Sequence, residues 1–432
     1  MVNEEQAISK KHKILAFTLI LLTFVMGTSE FVIVGLLTEV STSIGISIAT
    51  AGTLVSGFAI AYAIGTPIVT GFVSRFPKYP LMLVLIAIFI LGNMISALSS
   101  TYVVLVGSRI MTAVVSGVLT ALSMSIANTV ILKEKRSTII ASIFAGFTIA
   151  NVMGVPLGTM IGQWSNWHMT FWLTALLGSI AFIISMFVLP KRLSGENGSL
   201  SDQLSLLKQP KVILAFLIPI FTIAGTYTIY TFITPILENK LGVPTKYIAI
   251  VLLIYGFFSI FSNVLAGKIA QGNGLSKLRY IFIIQAVILL SFYFTMSSLW
   301  LGLLSILLMA VILYAVNATI QLYFMDLAEE YSPSAKDFAS SLTPVAVNVG
   351  IALGAAIGGF VITSGSLEYL ALAAATLALI ASAITFMSYR RQSNDPHLKK
   401  RSSFRGTFQT VDKRNREVHT RFLLSFFFYE YV

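Results

Sequence analysis

Polar and apolar positions come in blocks along most of this chain rather than alternating. Uncharged runs of about 18 or more residues, each long enough to cross a ~30 Å hydrocarbon core as a helix, recur throughout the sequence. They predict spans at about 14–37, 48–70, 80–98, 102–132, 138–162 and 169–189. A polar stretch of about 22 residues follows, from Pro190 to Lys211. Six more spans are expected at about 212–236, 247–270, 279–297, 299–325, 338–363 and 367–388. The first of the twelve has basic residues ahead of it, as a signal peptide would. It is too long for such a segment, lacks a convincing small-residue cleavage site and is followed by further spans, so it reads as a retained helix.

The two groups of six are related. Gly154, Gly158 and Gly162 in span five match Gly350, Gly354 and Gly358 in span eleven at a constant offset of 196. Gly71 at the end of span two matches Gly267 at the end of span eight at the same offset. Odd matches odd and even matches even, so direction across the bilayer is preserved: a parallel six-plus-six repeat. Close packing through small residues is the plainer reading of the same glycines, and the two are compatible. The expected architecture is an all-α integral membrane protein of 12 transmembrane helices in two pseudo-symmetric six-helix bundles. The divisions are an N-terminus 1–13, bundles 14–189 and 212–388, a central loop 190–211 and a basic tail 389–432.

Composition agrees: of 432 residues 56% are hydrophobic and 11% charged, where a soluble domain carries roughly 25% charged residues. There is no cysteine, which removes disulfides, thiolate metal sites and cysteine nucleophiles together. The four histidines, His12, His168, His397 and His419, all fall in predicted loops or termini. An intramembrane histidine-based metal or acid–base centre is therefore not expected, nor is any cofactor. The net charge of +12 does not point to nucleic acid, because +6 of it lies in residues 389–432 and most of the rest in short loops. Before the tail, sixteen Lys/Arg fall on one side of the predicted membrane and only Lys240 and Lys246 on the other. By the positive-inside rule both termini and the central loop are expected in the cytoplasm, with the protein in the cell membrane.

Ionisable side chains inside spans cost about 2.5–3.5 kcal/mol at the bilayer centre and usually serve function. Two stand out: Glu30 in Gly27-Thr28-Ser29-Glu30-Phe31 of span one and Arg109 in Gly107-Ser108-Arg109-Ile110 of span four. Each lies seven residues from the outer end of its span, roughly 10 Å deep at 1.5 Å per residue, so the two can share a layer. Desolvation favours the neutral form of a carboxyl and a nearby cation the ionised form. A site opened alternately to each side could thus exchange a proton at Glu30, with a static Glu–Arg packing pair as the competing reading.

On span four, Arg109, Thr112, Ser116, Thr120 and Ser123 fall within an arc of about 80° at 100° per residue, as a cavity lining would. Back-bonding to the helix or contact with a neighbouring helix would also place hydroxyls there. Span seven offers Tyr227, Tyr230, Thr231 and Thr234 on one face, and span ten Tyr314, Asn317 and Gln321. These can hydrogen-bond or stack on a small organic ligand, or simply bond between helices. The loop after span ten is acidic, with Asp326, Glu329, Glu330 and Asp337, and can pair with Arg75 and Lys78 after span two as a cytoplasmic gate, or merely be solvated.

At these residues, over about 14–388, the chain resembles the major facilitator superfamily. More narrowly it is similar to the 12-span drug:proton antiporter branch with its arabinose- and sugar-efflux permeases and purine-efflux pumps. Gly27 through Leu37 looks like that branch's first-span signature, whose acid is implicated in proton coupling, and that acid falls on Glu30. Arg109 with Gly117 resembles the fourth-span motif, and Gly154-Val155-Pro156-Leu157-Gly158 the fifth-span antiporter motif. Ala224 through Tyr230 resembles span seven of the sugar and purine exporters. The loop Gly71–Lys78 lacks the aspartate of the general superfamily motif, and Trp167-His168 stands where Trp-Arg is usual.

The resemblance implies a proton-coupled exporter of a sugar, nucleobase, nucleoside or drug, with protons and the bilayer as its other partners and a monomeric state. An uncoupled facilitator or importer on the same fold is the first alternative. A receptor or intramembrane enzyme is a poor match, since no nucleotide loop, catalytic dyad or metal cluster is present in the sequence.

Overall fold

The computed structural model describes residues 2–393 except 74, 132, 192, 194–205, 272 and 333–335. Twelve helices among the described residues are long and apolar enough to cross a membrane. The first half holds Lys13–Gly35, Ile48–Val73, Lys78–Leu98, Tyr102–Ala127, Ser142–Trp164 and Trp167–Val188. The second holds Pro210–Asn239, Thr245–Ala270, Gly274–Thr295, Leu299–Tyr331, Leu342–Ser364 and Tyr369–Gln392. They are numbered one to twelve below. Most of the central loop and residues 394–432 of the tail lie outside the described residues. The end of the bundle carrying Lys78, Lys191, Lys211 and Arg279 is its basic end.

The glycine repeat acts by letting helices approach. A Cβ on Gly154, Gly158 or Gly162 would sit 2.2–2.4 Å from the side chains of Thr28 and Val32 on span one and of Leu36 just past its end. In the second half, Gly354 and Gly358 take the same place against Ala224, Thr228 and Phe232 of span seven. Span five thus lies on span one as span eleven lies on span seven, without hydrophobic driving force between lipid-soluble helices, through close backbone contact.

The repeat extends to the hydrogen bonds. Span one ends at a tight turn where Leu36 N–H reaches the Ile33 carbonyl, and a short helix, Leu37–Ile44, follows. Span seven breaks 196 residues later, where Phe232 N–H reaches the Ile229 carbonyl before Ile233–Asn239. Each short helix is followed by a positive-φ glycine, Gly45 at 74° and Gly242 at 65°, a conformation that glycine adopts without Cβ strain. At this end the halves are packed together: Thr234 Oγ1 donates to the Val34 carbonyl at 2.9 Å, and Gly52 of span two admits the Phe232 ring.

Two irregularities have no counterpart in the other half. Span five contains a π-helical turn, Ala150–Gly154. Pro156 lacks an N–H, so the Val152 carbonyl loses its usual donor, and Val155 N–H bonds instead to Ala150 five residues back. Span ten is interrupted between Ile312 and Asn317. There Ser262 of span eight accepts the Tyr314 N–H at 2.7 Å, holding a backbone donor that the broken helix has released.

Candidate functional site

Glu30 and Arg109 lie in one layer, as their depths in the sequence require. The ion pair of the competing reading is not formed within 4 Å. The Arg109 guanidinium instead donates one nitrogen to the Ser29 carbonyl and the other to the Glu30 carbonyl, the latter at 2.9 Å. Its face rests on Phe58 of span two, 4.3 Å from the ring centre, with Phe171 of span six at 5.9 Å. Four spans therefore meet on one cation that is 1% exposed. A delocalised, weakly hydrated guanidinium suits such a place, where a point-like ammonium would not.

Span one is fixed from its other face as well. Ser29 and Thr174 both donate to Asn93 Oδ1, at 2.8 and 2.9 Å, and Asn93 returns its Nδ2 to the Phe89 carbonyl. With the backbone held by Arg109 and the next side chain by Asn93, the Glu30 carboxyl is bound by neither. It faces the interior, within electrostatic reach of Arg109 and Tyr62 in its own half and of Tyr227 and Tyr314 in the other. Thr226, which stands 196 residues after Glu30, is tied down by Gln285 Nε2 at 2.9 Å. The second half holds an amide–hydroxyl bond where the first holds a carboxyl.

The hydroxyl face of span four divides. Thr112 back-bonds to Ser108 and Arg109, and its methyl packs where Gly92 of span three leaves room. Thr120 and Ser123 back-bond to Ser116 and Leu119. Thr120 also lies beside the Tyr62 hydroxyl. Ser116 is buried with an unpartnered oxygen. All are below 5% exposed, so much of this arc is packed helix contact.

The second cluster joins the halves. Asn151, on the π turn of span five, donates Nδ2 to the Tyr314 hydroxyl at the break in span ten. Its Oδ1 accepts from the Tyr230 hydroxyl of span seven at 3.1 Å. Tyr230 stacks on Tyr255 of span eight at 4.9 Å and meets Tyr227 edge-on at 5.3 Å. Around them Thr231 Oγ1, the Tyr255 hydroxyl and Asn317 Oδ1 are buried without hydrogen-bond partners. Such atoms cost about 1–3 kcal/mol each when nothing satisfies them. Gln321, one turn beyond Asn317, is half-buried.

Gly154 and Gly158 touch span one, and Pro156 sets the register of the π turn. The residues expected at the cytoplasmic gate lie at the basic end. Lys78 is buried and donates to Ser125 at 2.7 Å, Arg75 lies over Phe76, and Glu330 pairs with Lys211 at 3.2 Å. Asp326 is half-buried and Glu329 exposed.

Asn151, Tyr62, Tyr255 and Phe58 were not singled out from the sequence. Asn151 left a signal, a lone amide in an apolar run five residues before a proline.

With this geometry in view, comparison with known proteins is decisive. The Major Facilitator Superfamily model matches residues 19–335. The chain belongs to the major facilitator superfamily. It is 35% identical over 342 residues to the uncharacterized MFS-type transporter YtbD of Bacillus subtilis, covering 79% of this chain and 86% of that one. It is 26% identical to a probable sugar efflux transporter of Helicobacter pylori, over 88% of this chain and 96% of the relative. Among solved structures, a bacterial homolog of the human lysosomal transporter Spinster, inward-facing and unoccupied, aligns with a TM-score of 0.69. It covers 88% of this chain at 16% identity, a likeness of fold. The protein is thus a multi-pass membrane transporter and not an enzyme.

Proposed function

We propose that this transporter exports a small organic molecule across the cytoplasmic membrane in exchange for protons, by alternating access. Both termini and the basic end then face the cytoplasm, following the lysine and arginine distribution. The observation that carries the reading is the separation of Arg109 from the Glu30 carboxyl. A carboxylate locked in a bidentate pair would be held ionised, whereas one bonded by neither Arg109 nor Asn93 is free to change protonation as its surroundings change. Arg109 then supplies a fixed field rather than a partner.

Substrate is assigned to the tyrosine–asparagine cluster between the halves. Tyr227, Tyr230, Tyr255 and Tyr314 offer ring faces and hydroxyls, and Asn151 offers both a donor and an acceptor. The unpartnered atoms on Thr231, Tyr255 and Asn317 supply further sites for an uncharged, polar molecule such as a sugar, a nucleobase or a drug. The Helicobacter relative's efflux designation supports the direction of transport. Arg75 and Lys78 opposite Asp326 and Glu329 are kept as the cytoplasmic gate of the alternate conformation.

The test is transport in everted vesicles, using a compound found by growing a deletion strain across a toxic panel. Glu30→Gln should abolish proton-driven accumulation while downhill flux of the same compound persists. Unchanged accumulation would sink proton coupling at Glu30, and proton-independent transport by the unaltered protein would favour the facilitator.

A further inference from the structure

The basic end carries a second cluster of cations, on the outside of the second half. Arg279 opens span nine and Arg390 closes span twelve, and both guanidiniums lie against one ring, Phe386, with Cζ 5.6 and 4.4 Å from its centre. Arg279 is also flanked by Tyr280 at 4.6 Å and Tyr389 at 4.5 Å. Its Nε is anchored on the Ser276 carbonyl at 3.1 Å, and its own carbonyl takes the Ser382 hydroxyl at 2.8 Å. The side chain is thus held in place by both helices, with its two terminal nitrogens left over.

Among the described residues no carboxylate pairs with either arginine. Two like charges converging on one ring repel each other, and the aromatic face offsets only part of that. An anion between them would complete the arrangement. The surroundings say which kind: Tyr280 is 57% exposed, Phe386 38% and Met387 49% on the outer surface of a membrane-spanning helix pair. That surface contacts acyl chains. The charged group sits where the last turn of span twelve leaves the hydrocarbon, at the depth of headgroups.

We infer that Arg279 and Arg390, with Tyr280, Phe386 and Tyr389, form a binding site for the phosphate of an anionic phospholipid at the basic end of spans nine and twelve. The guanidiniums take the phosphate oxygens as a fork, and the rings lie along the upper acyl chains. Such a lipid would tie span nine to span twelve.

The experiment uses the full chain in zwitterionic phosphatidylcholine nanodiscs. Phosphatidylglycerol is titrated in, and binding is read by native mass spectrometry and by thermal unfolding. The Arg279→Gln/Arg390→Gln variant should lose one tightly held phosphatidylglycerol and bind about 30-fold more weakly at that site, each cation giving roughly fivefold near an anionic surface. Arg279→Lys/Arg390→Lys keeps the charge and should retain part of the affinity. Phe386→Leu, which leaves both cations in place, should loosen the lipid without unfolding the chain. Equal phosphatidylglycerol retention by the glutamine variant and the unaltered protein would overturn the site. So would inorganic phosphate raising the unfolding temperature as much as the lipid does, because the ligand would then be a soluble anion.

Discussion

An arginine at position 109 reaches two carbonyls of span one with a planar fork while its face lies on Phe58. A lysine keeps the charge and loses the fork. Arg109→Lys should therefore lower stability in detergent by about 1–3 kcal/mol, read as an earlier thermal unfolding transition. Glu30→Gln should leave that transition nearly where it is, since no described hydrogen bond depends on the carboxyl. Identical transitions for the lysine variant and the unaltered protein would mean that the clamp does not hold span one. Both residues were legible in the sequence, because a lone charge in an apolar helix is conspicuous. What Arg109 binds was not legible. A backbone carbonyl leaves no mark on a sequence, and helix rotation decides whether the side chain meets it or the carboxyl next to it.

The irregular elements carry the site. Pro156 creates the π turn, and the turn carries Asn151 toward Tyr230 and Tyr314. Pro156→Ala restores the missing N–H and lets span five run as a regular helix, rotating Asn151 away. Transport should fall about tenfold or more, the equivalent of one lost hydrogen bond in the occupied state, without loss of thermal stability. Gly256 of span eight packs on the same turn, and a Cβ there would stand 2.6 Å from Val152 Cα. Gly256→Ala should therefore impair both transport and stability, the latter by about 1–3 kcal/mol, measured by thermal unfolding. The proline was visible in the sequence as part of a motif, but its effect on register was not, because a proline in a membrane helix can equally produce a kink.

The short helices at the end opposite the basic one add a pH dependence. Both carboxylate oxygens of Glu39 are buried without a hydrogen-bond partner. Burial holds this carboxyl above the usual carboxylate range, and the charge of Glu238 on the facing helix adds to that, while its own backbone and the nearby Gln163 amide act the other way. A group with a raised value in the closed arrangement holds more protons there than when opened to water. Acid therefore favours closure, and the closed contact weakens as pH rises through that value. Because the chain has no cysteine, spin labels at Ser43→Cys and Tyr247→Cys can follow this end. Their distance should lengthen with rising pH, and Glu39→Gln should abolish the change.

At the scale of the molecule, two six-helix halves follow one plan down to the turns at Leu36 and Phe232. The twelve spans and the 196-residue repeat could be read directly, since bilayer thickness and close helix packing each impose a pattern on sequence. The departures from the plan could not, and they are where the buried polar side chains of the candidate site meet. Glu30 answers to Thr226, while the π turn of span five and the break in span ten have no counterparts and meet each other through Asn151 and Tyr314. The proposed proton coupling requires a carboxyl between the two halves that can gain and lose a proton. Infrared difference spectroscopy of the protein in lipid, titrated with pH, observes that directly and requires no knowledge of substrate. The protonated-carboxyl C=O band should contain a titrating component that Glu30→Gln removes and Glu39→Gln leaves in place. A difference spectrum unaltered by Glu30→Gln would contradict it.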